Sequence, residues 1–195
     1  MGLVPELPEV EVVRCGIRPH VIGRRICAVF YSGQPLRLPL AAPALENLLG
    51  RVILDVQRRA KYLLFDLDNG SHIVAHLGMS GKLALFAQES PRIRHDHVCL
   101  LLDDGRELRF NDARRFGAFA VFGPEDASYQ QLFAHIGPEP FSEEFSADYL
   151  IAKATDKQQP VKNFLMDSRV VAGIGNIYAS GWWSRPTRTA SGSTP

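Results

Sequence analysis

The stretch Tyr62-Leu63-Leu64-Phe65-Asp66-Leu67-Asp68-Asn69-Gly70-Ser71-His72-Ile73-Val74-Ala75-His76 reads as two short strands joined by a turn. Asn and Gly tolerate the left-handed backbone that tight hairpin turns require, so Asp68-Asn69-Gly70 between two apolar runs is a hairpin signal. Asp103-Asp104-Gly105 repeats it between runs at 97–102 and 107–110. Further short runs at 26–31, 52–57, 82–86 and 118–122 bring the set to eight predicted strands. Many short strands separated by turns imply a β-sandwich or barrel. One helix precedes them. Pro8 suits a first-turn position, and Glu9 and Glu11 favour the positive end of the helix dipole. Val10, Val13, Ile17 and Val21 recur at helical spacing, giving a face to pack on the sheets. Pro19 is expected to end or bend this helix. A short helix is possible at 43–49.

Beyond the strands the pattern changes. Between residues 116 and 152 there are six acids and no Lys or Arg. Within that stretch Gly137-Pro138-Glu139-Pro140 reads as a linker. Helices are predicted at 146–154 and 160–166, with Pro160 as a first-turn residue. Gly173-Ile174-Gly175-Asn176 then opens another. A Gly-x-Gly turn at a helix start presents unpaired N–H groups that suit a phosphate; it reads equally as a tight turn between packed helices. The fold class is therefore α+β, a β-sandwich with flanking helices followed by a helical segment.

Composition narrows the class further. The 195 residues are 46% hydrophobic and 22% charged, enough for a real core and against disorder. No apolar run is long enough to span a bilayer, and the first residues lack a secretory pattern. Cys15, Cys27 and Cys99 form no CxxC pair, so a cytoplasmic protein with neither a disulfide framework nor a metal site is expected. A net charge of +1 does not by itself announce a nucleic-acid partner, but charge is locally concentrated: Arg51, Arg58, Arg59 and Lys61 fall within eleven residues.

Seven short motifs, in order, carry a resemblance. PELPEVE at 5–11, RRAKYL at 58–63, HLGMSG at 76–81, HDHV at 95–98, DARRFG at 112–117, GPEP at 137–140 and GIGNIYAS at 173–180 resemble the bacterial formamidopyrimidine-DNA glycosylases. The resemblance implies a base-excision repair enzyme, a monomer acting on double-stranded DNA. It would excise oxidised purines such as 8-oxoguanine and formamidopyrimidines and cleave the abasic site through a proline Schiff base. It further implies a β-sandwich catalytic domain over 5–136, a linker and helix over 137–158 and a partial helix–two-turn–helix domain over 159–180. Pro5 matches the family's nucleophile. A free α-amino group titrates near ~8 against ~10.4 for lysine, so more of it is neutral at pH 7. Glu6 matches the acid–base residue and Lys61 the lysine of proton transfer and substrate contact. Met79, Arg114 and Phe116 match the residues that fill the gap left by a flipped base. His76 and His95 are similar to DNA-contacting histidines, and read equally well as buried hydrogen-bonded ones. Asn176 resembles a phosphate-binding asparagine. Lys157 lies beside the position of a family lysine, where the alignment puts Gln158.

The match fails at both ends. Met1 to Val4 precede Pro5, whose nitrogen is then a tertiary amide and no nucleophile. A natural start at position 4, from a GTG codon read as Met and later removed, would expose it. After Ser180 the family pattern is lost. Residues 181–195 read as an unstructured tail, and the zinc-finger cysteines of the family have no counterpart, so no cofactor is expected in this chain. The alternative reading is a truncated, inactive fragment that still binds damaged DNA.

Overall fold

The computed structural model describes residues 5–38, 40 and 42–181. Its elements run α1 (Leu7–Val21), β1 (Ile26–Tyr31), α2 (Ala42–Glu46), β2 (Ile53–Arg59), β3 (Tyr62–Leu67), β4 (His72–His76), β5 (Lys82–Ala87), β6 (Asp96–Leu102), β7 (Arg106–Asn111), β8 (Ala118–Phe122), α3 (Ala127–Phe133), α4 (Ala147–Ala154), α5 (Val161–Met166) and α6 (Asn176–Gly181). Two four-stranded antiparallel sheets form, in the orders β1-β6-β7-β5 and β2-β3-β4-β8. Burial of one face of each sheet drives them together. Leu83, Val98, Leu100, Leu108 and Phe110 of one sheet share a core with Ile53, Leu63, Phe65, Ile73 and Phe119 of the other. The Phe110 and Phe119 rings lie 5.9 Å apart across it.

Helix α1 adds Val10, Ile17 and Val21 to that core. Pro19 does not stop it. The carbonyl that Pro19 leaves without a helical partner belongs to Cys15, both residues are exposed, and Val21 completes the buried stripe. The outer face of β7 carries a buried charge cluster. Arg109, 2% exposed, donates to Glu107 Oε2 (2.8 Å) and to the Ser90 and Pro91 carbonyls (2.5 and 3.0 Å). Because each charge has partners, the cluster fixes the 90–92 segment over the sheet.

The Gly137–Pro140 segment is bonded on both sides. Gly137 N donates to Ser168 O and Ala172 N donates to Pro138 O, both at 2.8 Å. It seats the stretch leading to α6 beside the sandwich. Gly181, placed in the tail by the sequence reading, is the last residue of α6; residues 182–195 lie outside those described. Among the described residues no helix is long and apolar enough to cross a membrane.

Candidate active site

Glu6 is the N-cap of α1, and its backbone N donates to Glu9 Oε2 at 2.9 Å. Its side chain is buried, 2% exposed. There the carboxylate accepts hydrogen bonds from Gly175 N (3.1 Å), Ile177 N (2.8 Å) and Tyr178 N (3.3 Å). These are N–H groups at the start of α6 that have no partner inside the helix, and the helix dipole favours an anion at that end. The Tyr178 hydroxyl donates to Glu9 Oε1 at 3.0 Å and closes the junction from outside. The glycines of this turn have a steric reason. A Cβ on Gly175 would stand 2.4 Å from Glu6 Cδ, and one on Gly173, at φ +75°, would stand 2.6 Å from Leu7 Cδ1. Pro5, half-buried, is the residue next to this anchored carboxylate, and Asn176 is exposed at the first position of α6.

Lys61 stands in the two-residue turn between β2 and β3. Preceding it, Ala60 takes the left-handed φ of +52°, uncommon for a residue with a Cβ. Arg58 and Arg59 are tied into the fold: both bind Glu139, and Arg59 also binds the Ile136 and Gly137 carbonyls at 2.8 Å. Lys61 makes no hydrogen bond or ion pair to another described residue. Burial lowers its pKa, while the charges of Glu6 and Glu9 oppose that shift.

His76 ends β4, directly across the strand pair from Tyr62 and edge-on to its ring. Gly78 N donates to its Nδ1 at 2.9 Å, which requires the neutral ring with its proton on Nε2. Burial, helped by the positive charges of Arg37 and Lys61, lowers its pKa to about 4.

A second group gathers around Asp112, which is fully buried. Its carboxylate accepts from the Ser80 hydroxyl, from Gly117 N (2.7 Å) and from Arg114 N (3.2 Å). Thus one side chain binds the β4–β5 loop to the 112–117 loop. Their backbones nearly touch: a Cβ on Gly78 would meet Gly117 N at 2.5 Å. Met79, 40% exposed, stands on the first loop, and Phe116, 49% exposed, on the second. The Arg114 guanidinium lies 4.8 Å from the Phe116 ring centroid. His95, at φ +75°, accepts at its carbonyl from Asp112 N. His97, which sequence reasoning passed over, is buried and pairs through Nε2 with Asp112 O and through Nδ1 with the Ser32 hydroxyl, each at 2.9 Å.

The formamidopyrimidine-DNA glycosylase N-terminal domain matches residues 4–119, more than half of the chain. The chain belongs to the formamidopyrimidine-DNA glycosylase family. That family's H2TH domain matches residues 136–186, running past Ser180, where the sequence reading ends the resemblance. Formamidopyrimidine-DNA glycosylases of Acidithiobacillus ferrooxidans and Xanthomonas campestris are 48% and 49% identical over 177 residues, 91% of this chain. The Vibrio parahaemolyticus glycosylase is 47% identical over 98% of the chain. This chain spans about two thirds of these relatives, 64%, 65% and 71% of their lengths respectively. Among solved structures, a complex of the LlFpg protein with THF-DNA and an inhibitor superposes with a TM-score of 0.82 at 32% identity, covering 90% of this chain and 65% of that one. The Lactococcus lactis formamidopyrimidine-DNA glycosylase non-covalently bound to DNA containing an AP site gives 0.81 at 31% identity, covering 89% and 66%. The α+β architecture, a β-sandwich followed by the start of a helix–two-turn–helix domain, is that of the glycosylase family.

Zinc is implied by the glycosylase resemblance, and the cysteines described here do not fit it. Cys15 and Cys27 are exposed singly, and Cys99 is buried in β6, where burial pushes its thiol up to about 12. Among the described residues no group of three His, Cys, Asp or Glu side chains could hold a metal ion. The N–H groups at the Gly173-x-Gly175 helix start, read from the sequence as suited to a phosphate, bind the Glu6 carboxylate instead; the residues that sequence reasoning missed, Glu139, Asp112 and His97, all lie inside quoted glycosylase motifs. The motifs carried the signal, but pairings across the chain are invisible in a linear string.

Proposed function

We propose that this chain is a DNA base-excision repair glycosylase that removes oxidised purines, such as 8-oxoguanine and formamidopyrimidines, from double-stranded DNA and cleaves the abasic site. The observation that supports it most is the Glu6 carboxylate, buried beside Pro5 and bound by three N–H groups at the start of α6, with Lys61, which has no ion pair among the described residues, under the influence of its charge. In this reading the Pro5 amine attacks C1′ of the sugar, and the bond to the base breaks with its electron pair leaving on the base. The Pro5 nitrogen then gives its proton to the Glu6 carboxylate, which passes it to the sugar oxygen as the ring opens, leaving an iminium between Pro5 and C1′. That electron sink permits loss of a C2′ proton and departure of the 3′ phosphate. Lys61 serves proton transfer. Met79 and Phe116 fill the vacated stack, and Arg114 reads the orphaned base opposite. His76 offers its Nε2–H, and Asn176 its amide, to phosphate; His95 contributes beside the Asp112 loop.

The chemistry needs a free amine on Pro5. Two forms of the protein test it: the chain as given, and one whose translation begins with a removable Met directly before Pro5. Each is incubated with abasic-site duplex and borohydride. A covalent adduct mapped to Pro5 in the second form alone is the expected result. Equal trapping by both forms, with the adduct on Lys61 in both or on Gly2 in the first, or tight binding of abasic DNA with no adduct in either, overturns it. The latter outcome is the signature of a damaged-DNA-binding protein without turnover.

A further inference from the structure

Glu139 binds three consecutive residues of a hairpin some 80 positions earlier in the chain. Its Oε2 accepts from Arg58 Nη1 (2.6 Å), and its Oε1 accepts from Arg59 Nη1 (3.0 Å) and from the backbone N of Ala60 (2.7 Å). The carboxylate is mostly shielded from water, with 23% of its side chain exposed. Charge-assisted bonds in such a setting are short and directional. The third bond matters most, because Ala60 is the residue held at φ +52°, and the next residue is Lys61. Arg58 continues the network to Glu11 of α1 (Nε to Oε2, 3.0 Å) and to the Ala60 carbonyl (3.0 Å). So both the N–H and the C=O of the residue before Lys61 are held by charged side chains, and one of these also grips the helix that Glu6 caps. Among the described residues nothing comparable holds Lys61 itself.

We propose that Glu139 is a positioning residue: by fixing Arg58, Arg59 and the strained Ala60 backbone, it sets where the Lys61 ammonium stands relative to Glu6. The role of Lys61 in base excision rests on the function proposed above; the placement of its ammonium does not. In support, burial lowers the Lys61 pKa, which a lysine free to swing into water would not show. Removing the clamp releases the hairpin turn from its left-handed conformation and lets Lys61 solvate.

Two measurements test this, both on the form whose translation begins with a removable Met directly before Pro5. The first is the titration of Lys61, followed by NMR of carbon-labelled lysine, in the parent, in Glu139→Ala and in Glu139→Gln. The alanine variant is expected to move the Lys61 pKa up toward that of a solvated lysine. The glutamine variant, which keeps an acceptor for Ala60 N, is expected to restore part of the shift. The second is single-turnover excision of 8-oxoguanine in a two-by-two cycle with Lys61→Ala. Loss of correct placement is expected to slow excision about 10–100-fold when Lys61 is present. It is expected to leave the rate unchanged when Lys61 is absent, whereas a merely structural role would slow both backgrounds alike. An unmoved Lys61 titration in a folded variant, or equal losses in both backgrounds, overturns the proposal. If Glu139→Ala does not fold, the glutamine variant carries both measurements. A parent that excises nothing while the Lys61 titration shifts as expected would remove the glycosylase reading and leave the positioning role standing.

Discussion

His76 shows how one residue can be forced into a single protonation state by its neighbours. Gly78 N occupies its Nδ1 lone pair, and burial together with Arg37 and Lys61 lowers its pKa to about 4. An unfolded histidine titrates near ~6.5, so between these values the unfolded chain binds a proton that the folded chain refuses. Stability from this residue is therefore complete above about pH 6.5 and is lost as pH falls toward 4. The slope from one such proton is bounded at about 1.4 kcal/mol per pH unit. His76→Gln is expected to flatten this part of the acid limb in urea unfolding measured from pH 7 to 4. A limb equally steep in the variant would mean that His76 protonates in the folded state. The same neutrality bears on the phosphate contact proposed for His76. A neutral imidazole offers phosphate one N–H donor without attracting it by charge, so His76→Gln is expected to weaken abasic-DNA binding without changing its salt dependence, whereas removing a cationic contact would reduce the slope.

At the scale of elements, the junction between α1 and α6 carries the most constraint. Gly175→Ala would drive a Cβ to 2.4 Å from the Glu6 carboxyl carbon, and that carboxylate, bound by three N–H groups, has nowhere to retreat. Overpacking of this kind costs about 1–3 kcal/mol. The expected outcome is faster amide exchange at Ile177 and Tyr178 and loss of the borohydride-trapped adduct, with the β-sandwich still folded. Gly16→Ala is the control: nothing lies within 4 Å of its Cβ position on the exposed face of α1, and a gain of about 0.5–1 kcal/mol is expected. Unchanged exchange in Gly175→Ala would show that the junction yields freely. Strands were more legible than such junctions. The ranges 26–31, 62–67, 72–76 and 118–122 match β1, β3, β4 and β8, because each is a short apolar run between recognisable turns. Strand β2 extends to Arg59, further than its pattern suggests, since the turn after it is Ala60-Lys61, which has no Gly or Asn to announce it. Helix α3 was missed although Asp126 caps it through Ser128 N. Its warrant is tertiary: Tyr129 stacks on His72 at 4.1 Å, and Phe133 meets Tyr62 edge-on.

Over the whole molecule, burial is divided unevenly. The two sheets and α1 share one core, whereas α3 and α4 contain no buried residue, and α5 and α6 contribute Phe164 and Ala179. Phe141 is 94% exposed and Ile151 68%. Segments with so little buried apolar area open at low free energy. Limited proteolysis is therefore expected to cut first after about residue 140 and to leave a resistant sandwich. First cuts inside β2–β8 would contradict this. The grip of Glu6 on Gly175, Ile177 and Tyr178 links residues 169 to 172 positions apart. A ribosome adding roughly 5–20 residues per second makes the second partner on the order of 10–30 seconds after the first. Through that interval a nascent chain can complete its sheets but cannot lock the carboxylate beside Pro5. For the function proposed above, Pro5 and Glu6 are thus made early and held in place late: a chain released before Gly175 would carry both without the N–H groups that bind the carboxylate.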